Sequence, residues 1–276
     1  AMGSVADSVA TSGVTSARQS SASRGNSGES RRVLLGIGGV FLFVVLWKAS
    51  HFFAWTGAGT MPDPFLLPET LWDEWSTGRL LPAVGSSLVH YVWGLGLGAA
   101  LGMAIGFAAA TNTVFEGGHA YLARILRPIP PLAWVVFAIA WFQVSHAGAA
   151  FVIAIGVFWV NYFATYAAIR GVDPRYYELA RAFGQGGWWR TSLTVTLPAA
   201  APGMLSGFRT GVGQAWMALI AAELLGVPGM GQEMNSAAGV GAYEAVVIYM
   251  FAISGVYALC DFVFVRFENW VLQWRP

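Results

Sequence analysis

Cysteine is almost absent: Cys260 stands alone among 276 residues, which excludes an internal disulfide and leaves no partner for a thiolate metal site. Charge is scarce too. Asp, Glu, Lys and Arg make up 11% of the chain, against about 25% in soluble domains. The signs nearly cancel, at +1, so no global field draws in nucleic acid. The four histidines, His51, His90, His119 and His146, are scattered and show no ligand spacing. No Gly-x4-Gly-Lys-Ser/Thr loop is present to cradle a nucleotide. Ser145 and His146 are sequence neighbours, but adjacent helical residues do not face each other, so no nucleophile–base pair converges by spacing. What remains is apolar: 56% hydrophobic residues and a mean hydropathy of +0.58. So little polar side chain cannot cover a soluble surface. Lipid is the solvent that fits.

Residues 1–30 are rich in Ser, Ala, Gly and Thr, and are expected to form a disordered tail without the early apolar core of a secretory signal. Residues 31–276 then form one transmembrane domain. A span needs about 20 apolar residues. Span one starts at 33–47 and reaches past Lys48 to Phe52 and Phe53. A polar, Pro-rich stretch at 57–79 holds Asp63, Glu69, Asp73 and Glu74. Span two is expected at 86–110. From 128 to 169 no charged residue occurs. That is about 63 Å of helix, twice a membrane thickness, so it predicts two antiparallel helices with a turn near Ser145–Gly148. Spans five and six follow at 198–225 and 243–267. The class is all-α, with about six transmembrane helices.

Six spans place both termini on one side. Arg18, Arg24, Arg31, Arg32, Arg124 and Arg127 lie there, as do Arg170, Arg175, Arg181, Arg190, Arg266 and Arg275; only Lys48 and Arg79 lie opposite. The positive-inside rule makes the Arg-rich side cytoplasmic. Gly94, Gly98, Gly102 and Gly106 form one smooth stripe along span two, and Gly203, Gly207 and Gly211 repeat it in span five. Such stripes admit another helix closely, as static packing or as a moving interface.

The cytoplasmic segment 170–198 is too long for a structureless loop. Asp173 is placed to cap a helix with Pro174 at its first position. Tyr177, Ala180, Arg181 and Gly184 recur at helical spacing, and Gly184 suits the helix end. A second short helix then leads to Pro198. Such a projecting helix is suited to docking on a soluble partner.

Glu178-Leu179-Ala180, Gly184 and Leu197-Pro198 resemble the EAA loop of bacterial ABC-importer permeases. More narrowly, the chain resembles the permeases for nitrate, bicarbonate, taurine and aliphatic sulfonates. Further matches are Arg127-Pro128-Ile129-Pro130-Pro131-Leu132, Gly171-Val172-Asp173-Pro174-Arg175, Ala215-Trp216-Met217-Ala218-Leu219 with Ala222-Glu223, and Gly229-Met230-Gly231. The resemblance covers about residues 62–276. It implies the type I importer permease fold, a multi-pass location in the inner membrane, and a second permease copy, most simply a homodimer. It also implies two ATPase subunits that carry the ATP and Mg, and an extracytoplasmic solute-binding protein. On the same resemblance, this chain itself is expected to bind no cofactor or metal and not to be an enzyme.

Carried over by residue, Asp173, Tyr177, Glu178, Leu179, Ala180, Arg181 and Gly184 form the ATPase-coupling segment. Ala180 is small enough for close docking, and Gly184 permits the bend. The chain departs from the family twice: Leu179 stands where the general motif has alanine, and the interval from Gly184 to Pro198 is one residue longer, with Gln185-Gly186-Gly187 expected to hold the extra residue. Gln143, Asn161, Gln214 and Trp216 are candidates for the pathway wall. Glu223, late in span five, is expected to serve a gate or a structural pairing. Arg209 is expected to snorkel to the cytoplasmic surface. The solute implied is a small anion, aliphatic sulfonate or taurine-like, or else nitrate or bicarbonate. An aromatic carboxylate or vitamin precursor remains an alternative within the same architecture, and an ion-coupled secondary transporter is the alternative outside it.

Overall fold

The computed structural model describes residues 34–53, 60–184, 187–224 and 226–271. The expected N-terminal tail lies outside them. The chain falls into two compact units, residues 1–66 and 67–276.

In the first unit, α1 (Leu34–Phe52) is a 19-residue apolar helix. The chain after it folds back on its end: Trp47 Nε1 donates to the Pro62 carbonyl at 3.0 Å, and Lys48 meets the Asp63 carboxyl at 2.5 Å. The Lys48 bond first, and the Phe65 amide second, hold the Asp63 carboxyl below its ordinary range.

Among the described residues the second unit holds ten further α-helices. They are α2 (Leu67–Ser76), α3 (Leu80–Thr111), α4 (Thr113–Leu126), α5 (Val135–Phe142) and α6 (His146–Arg170), then α7 (Pro174–Ala182), α8 (Trp188–Thr191), α9 (Leu197–Glu223), α10 (Met230–Gly239) and α11 (Tyr243–Val271). Among the described residues four helices, α1, α3, α6 and α11, are long and apolar enough to cross a membrane. α9 has 27 residues, enough length to cross, but carries Arg209 and Glu223. A fifth apolar candidate is broken: α4 and the segment Pro131–Phe142 meet at a 95° bend. Pro128, Pro130 and Pro131 cause the break, because proline removes backbone donors and disfavours the helical conformation of the residue before it. The long uncharged run is thus one full helix, α6, and a much shorter α5. Ser145 marks their junction, its side chain accepting the Gly148 amide as the cap of α6.

The two glycine stripes close on one helix. A Cβ on Gly98 would stand 2.5 Å from the Ala154 carbonyl oxygen, one on Gly102 2.5 Å from that of Phe158, and one on Gly106 2.6 Å from that of Tyr162. These partners all lie on α6. So do those of the other stripe: a Cβ on Gly203 would stand 2.7 Å from Ala168 Cβ, Gly207 faces Ala164, and Gly211 faces Asn161 Nδ2 at 2.6 Å. The order of contacts makes α3 parallel and α9 antiparallel to α6. The end of α3 and the start of α6 therefore lie at opposite ends of the bundle, so residues 112–145 must traverse it, bend included.

Two short helices, α2 within the stretch expected to be polar and Pro-rich and α10 after α9, were not expected. α2 carries Glu74, buried where Arg79 Nη2 and the Tyr249 hydroxyl both donate to it at 2.8 Å. α10 follows the Gly229 turn. Substituting Gly98→Ala should destabilise the chain by about 1–3 kcal/mol, because its Cβ meets backbone that cannot rotate away. Gly96→Ala, which meets nothing within 4 Å, should be neutral. Apparent unfolding temperatures in detergent measure both.

Candidate functional site

At one end of the second unit, α7 is built as its residues dictate. The Asp173 carboxylate accepts the Arg175 amide at 2.9 Å, and Pro174 opens the helix. Gly184 lies just beyond the helix end at φ +74°, a conformation costly for any residue with a Cβ. Tyr176, Leu179 and Phe183, spaced i, i+3 and i+7, are exposed, as is Glu178 between them. This is an apolar ridge with one carboxylate beside it. Ala180 does not belong to that ridge. It is 8% exposed and turned into the chain's own interior, so its small size serves the seating of α7. Tyr177 and Arg181 border an adjoining cavity.

α8 continues into α9 through a π-turn at Ser192–Thr196, closed by the Leu197 amide donating to the Ser192 carbonyl. A π-turn holds one residue more than an α-turn. Pro198 favours it, having no amide to donate to the Thr194 carbonyl. The helix thus holds one residue more before Pro198 than a regular α-helix would. Of Gln185-Gly186-Gly187, where the residue additional to the motif was expected, Gln185 and Gly186 lie outside the described residues.

The pathway candidates do not share one place. Gln214 lines a cavity of about 500 Å³ with Arg127, Phe163, Gly207 and Thr210, between the proline-rich segment, α6 and α9. Gln143 caps the end of α5 at φ +57° with an exposed side chain. Asn161 is fully buried where α6 meets both glycine stripes, its Nδ2 donating to the Val157 carbonyl and its Oδ1 unpartnered. Trp216 is packed between Tyr91 and Tyr257, at ring distances of 5.1 and 5.9 Å. Arg209 reaches Glu268 of α11 at 3.6 Å, so its charge is met by a carboxylate, not by the membrane surface alone.

Glu223 organises the opposite end of the bundle. It is fully buried. Its Oε2 accepts from Ser87 Oγ and from the Gly231 amide, both at 2.9 Å, and its Oε1 lies 3.0 Å from His90 Nδ1. Ser87 Oγ in turn accepts the Met230 amide at 2.9 Å. His90 Nε2 lies 2.6 Å from His146 Nδ1, at the start of α6. If His90 donates from Nδ1 and His146 donates from its own Nδ1, every one of these bonds is satisfied. Four elements (α3, α6, α9 and α10) are joined through one carboxyl group. Gly229 is required because a Cβ there would overlap the Glu223 carboxyl. The structural-pairing reading of Glu223 fits this geometry. The histidines were missed, since 133 residues separate His90 from Glu223. The available signal was that ionisable groups inside apolar spans seek each other. Among the described residues no group of side chains suited to a metal ion occurs.

A family model described as the binding-protein-dependent transport system inner membrane component matches residues 98–274. The chain belongs to this family. It is a multi-pass membrane permease subunit of an ABC importer. Among its relatives is a putative aliphatic sulfonates transport permease, SsuC of Bacillus subtilis, 30% identical over 85% of this chain and 85% of that protein. The bicarbonate transport permease CmpB of Synechococcus elongatus is 28% identical, over 88% of this chain and 89% of its own length. In fold, the family member resembles a chain of the inward-facing MetNI methionine ABC transporter. The TM-score is 0.55 at 17% identity, over 67% of this chain and 93% of that one.

The Glu223 cluster should be a main source of stability in the permease. His90→Phe leaves the carboxyl short of a partner at full burial and should cost about 3–5 kcal/mol. Ser87→Ala should cost about 1–3 kcal/mol, through loss of one donor and one acceptor. Denaturation in detergent reads both, and the His90→Phe, Glu223→Ala pair should be strongly non-additive.

Proposed function

We infer that this permease moves a small anion, an aliphatic sulfonate or bicarbonate, inward by ATP-driven alternating access. Two copies form the pathway. Two separate ATPase subunits hold ATP and Mg and dock on α7, and an extracytoplasmic binding protein delivers the solute at the Glu223 end. Both termini, with α7, face the cytoplasm.

The observation that carries this reading is the form of α7. A capped helix with an exposed apolar ridge and one carboxylate has the form of a part that a second protein grips. Seated through Ala180 and followed closely by α8 and α9, it can pass a displacement into the membrane. The relatives support the solute class. So does the cavity at Gln214, where Arg127 and the amide offer hydrogen-bond donors and no carboxylate intrudes among its walls. Arg127 lies over the Phe163 ring at 4.5 Å, which leaves the edge of its guanidinium free to meet an anion. Rigid-body switching between inward- and outward-facing states is the transition such packed helices permit.

The test is reconstitution with candidate ATPase and binding-protein partners in liposomes, with uptake of taurine, ethanesulfonate and bicarbonate measured against ATP. ATP-dependent uptake of one of these is expected, and uptake without ATP, driven by an ion gradient, would overturn the reading. Glu178→Arg should cut binding-protein-stimulated ATP hydrolysis about tenfold or more, since a reversed charge at a docked helix costs upwards of 1.4 kcal/mol. Its unfolding temperature should not move. Unchanged stimulation in that variant would remove α7 from the coupling path.

A further inference from the structure

Beside α7 two cavities of different character adjoin. The first, about 490 Å³, is half polar, and Arg170, Tyr177, Arg181 and Thr191 contribute to its walls. The second, about 570 Å³, is almost wholly apolar and is lined by Met103, Phe107, Leu193 and Leu197 among others. Thr111, Trp188 and Ser192 belong to both. Each volume lies within the roughly 300–1,000 Å³ of small-ligand sites.

The charges at the polar cavity are unequal. Arg170 is already paired with Glu116 of α4. Arg181, on an exposed turn of α7, makes no ion pair among the described residues and is the cation left over. The neighbouring Tyr177 and Ser192 bring hydroxyl groups to its walls. Trp188 and Trp189 stand at the rim of the apolar groove, half-exposed and exposed, as aromatic residues do at the level of lipid headgroups. One uncompensated guanidinium next to hydroxyls, continuous with a groove of methionine, phenylalanine and leucine, matches a molecule with a phosphodiester monoanion at one end and an acyl chain at the other.

We propose that the paired cavities bind one anionic phospholipid from the leaflet at the α7 end, headgroup on Arg181 and acyl chain along Met103–Phe107 and Leu193–Leu197. Basic pockets at helix ends hold anionic lipid headgroups in this way. The site is distinct from the Gln214 cavity, and the proposal stands whatever solute is carried. It also has a consequence for α7. Tyr177 and Arg181 rest on the headgroup while Tyr176, Leu179 and Phe183 face away, so the lipid sets the tilt at which the exposed ridge is presented.

Native mass spectrometry of the full chain in detergent tests this, with dioleoyl-phosphatidylglycerol and dioleoyl-phosphatidylcholine as probes. Phosphatidylglycerol should be retained about fivefold over phosphatidylcholine, the worth of one basic residue at a lipid headgroup. Arg181→Gln should abolish that preference, Arg181→Lys should keep it, and Arg190→Gln, outside the cavity walls, should leave it intact. Leu193→Glu should reduce retention of the lipid with little change in unfolding temperature in lipid-free detergent. Should that variant not fold, Arg181→Gln, at an exposed position, decides alone. Equal retention of the two lipids, a preference that survives Arg181→Gln, or displacement by millimolar inorganic phosphate would overturn the proposal, the last by marking a site for a free anion.

Discussion

The structure depends on one close approach: α6 lies against α3 on one side and α9 on the other with glycine at the contacts of both. In lipid there is no hydrophobic gain from joining helices, so association rests on dispersion contacts and hydrogen bonds. Those contacts fall away within a fraction of an ångström of separation. Glycine at every fourth position lets backbone meet backbone over about 18 Å of α3, the axial rise from Gly94 to Gly106. α6 answers with small residues of its own at Ala154, Ala164 and Ala168. Once this three-helix layer is set, its directions dictate the rest. The segment between α3 and α6 has to cross back, and does so with a bend because prolines occupy its middle.

Three carboxyl groups are then closed into clusters. Glu223 gathers donors from α3 and α10 and, through His90, reaches α6. Glu74 receives Arg79 and Tyr249, and Glu116 receives Tyr166 and Arg170. In each case the cluster ties elements that the glycine contacts leave unconnected: α10 to α3, α11 to α2, α4 to α6. A carboxyl group without such partners is costly at membrane depth, so each cluster either forms in full or weakens the fold. Apolar packing fixes the central layer and buried hydrogen bonds fix its attachments.

The sequence made the backbone-level features legible and hid the side-chain meetings. Both glycine stripes, the Ser145 junction, the Asp173–Pro174 helix start and the helix end at Gly184 are local patterns, each with a steric or hydrogen-bonding cause within a few residues. What the stripes pack on was not local, and that both close on α6 came only with the tertiary structure. Asn161 and Trp216 were identifiable as polar-capable residues in apolar spans, but their rotation about the helix axis was not, and it turns both into the chain's own interior. His90 looked inert because its partners lie on three other elements. α2 and α10 were hidden for a different reason: each is a short helix within stretches read as polar or turn-forming connections, where the hydropathy contrast that reveals a span is missing.

The π-turn before Pro198 has a mechanical consequence. From Trp188 to Glu223 the chain is one unbroken helical rod, about 54 Å long at the usual rise. Such a rod resists bending except where its hydrogen-bond ladder is widened or broken. Its compliance is therefore concentrated near one end, at the π-turn and at Pro202, which has no amide to donate, and the remaining length beyond Pro202 behaves as a stiff shaft. Twist applied beyond the joint would be delivered along that shaft to the carboxyl cluster at its far tip instead of being dissipated along the way.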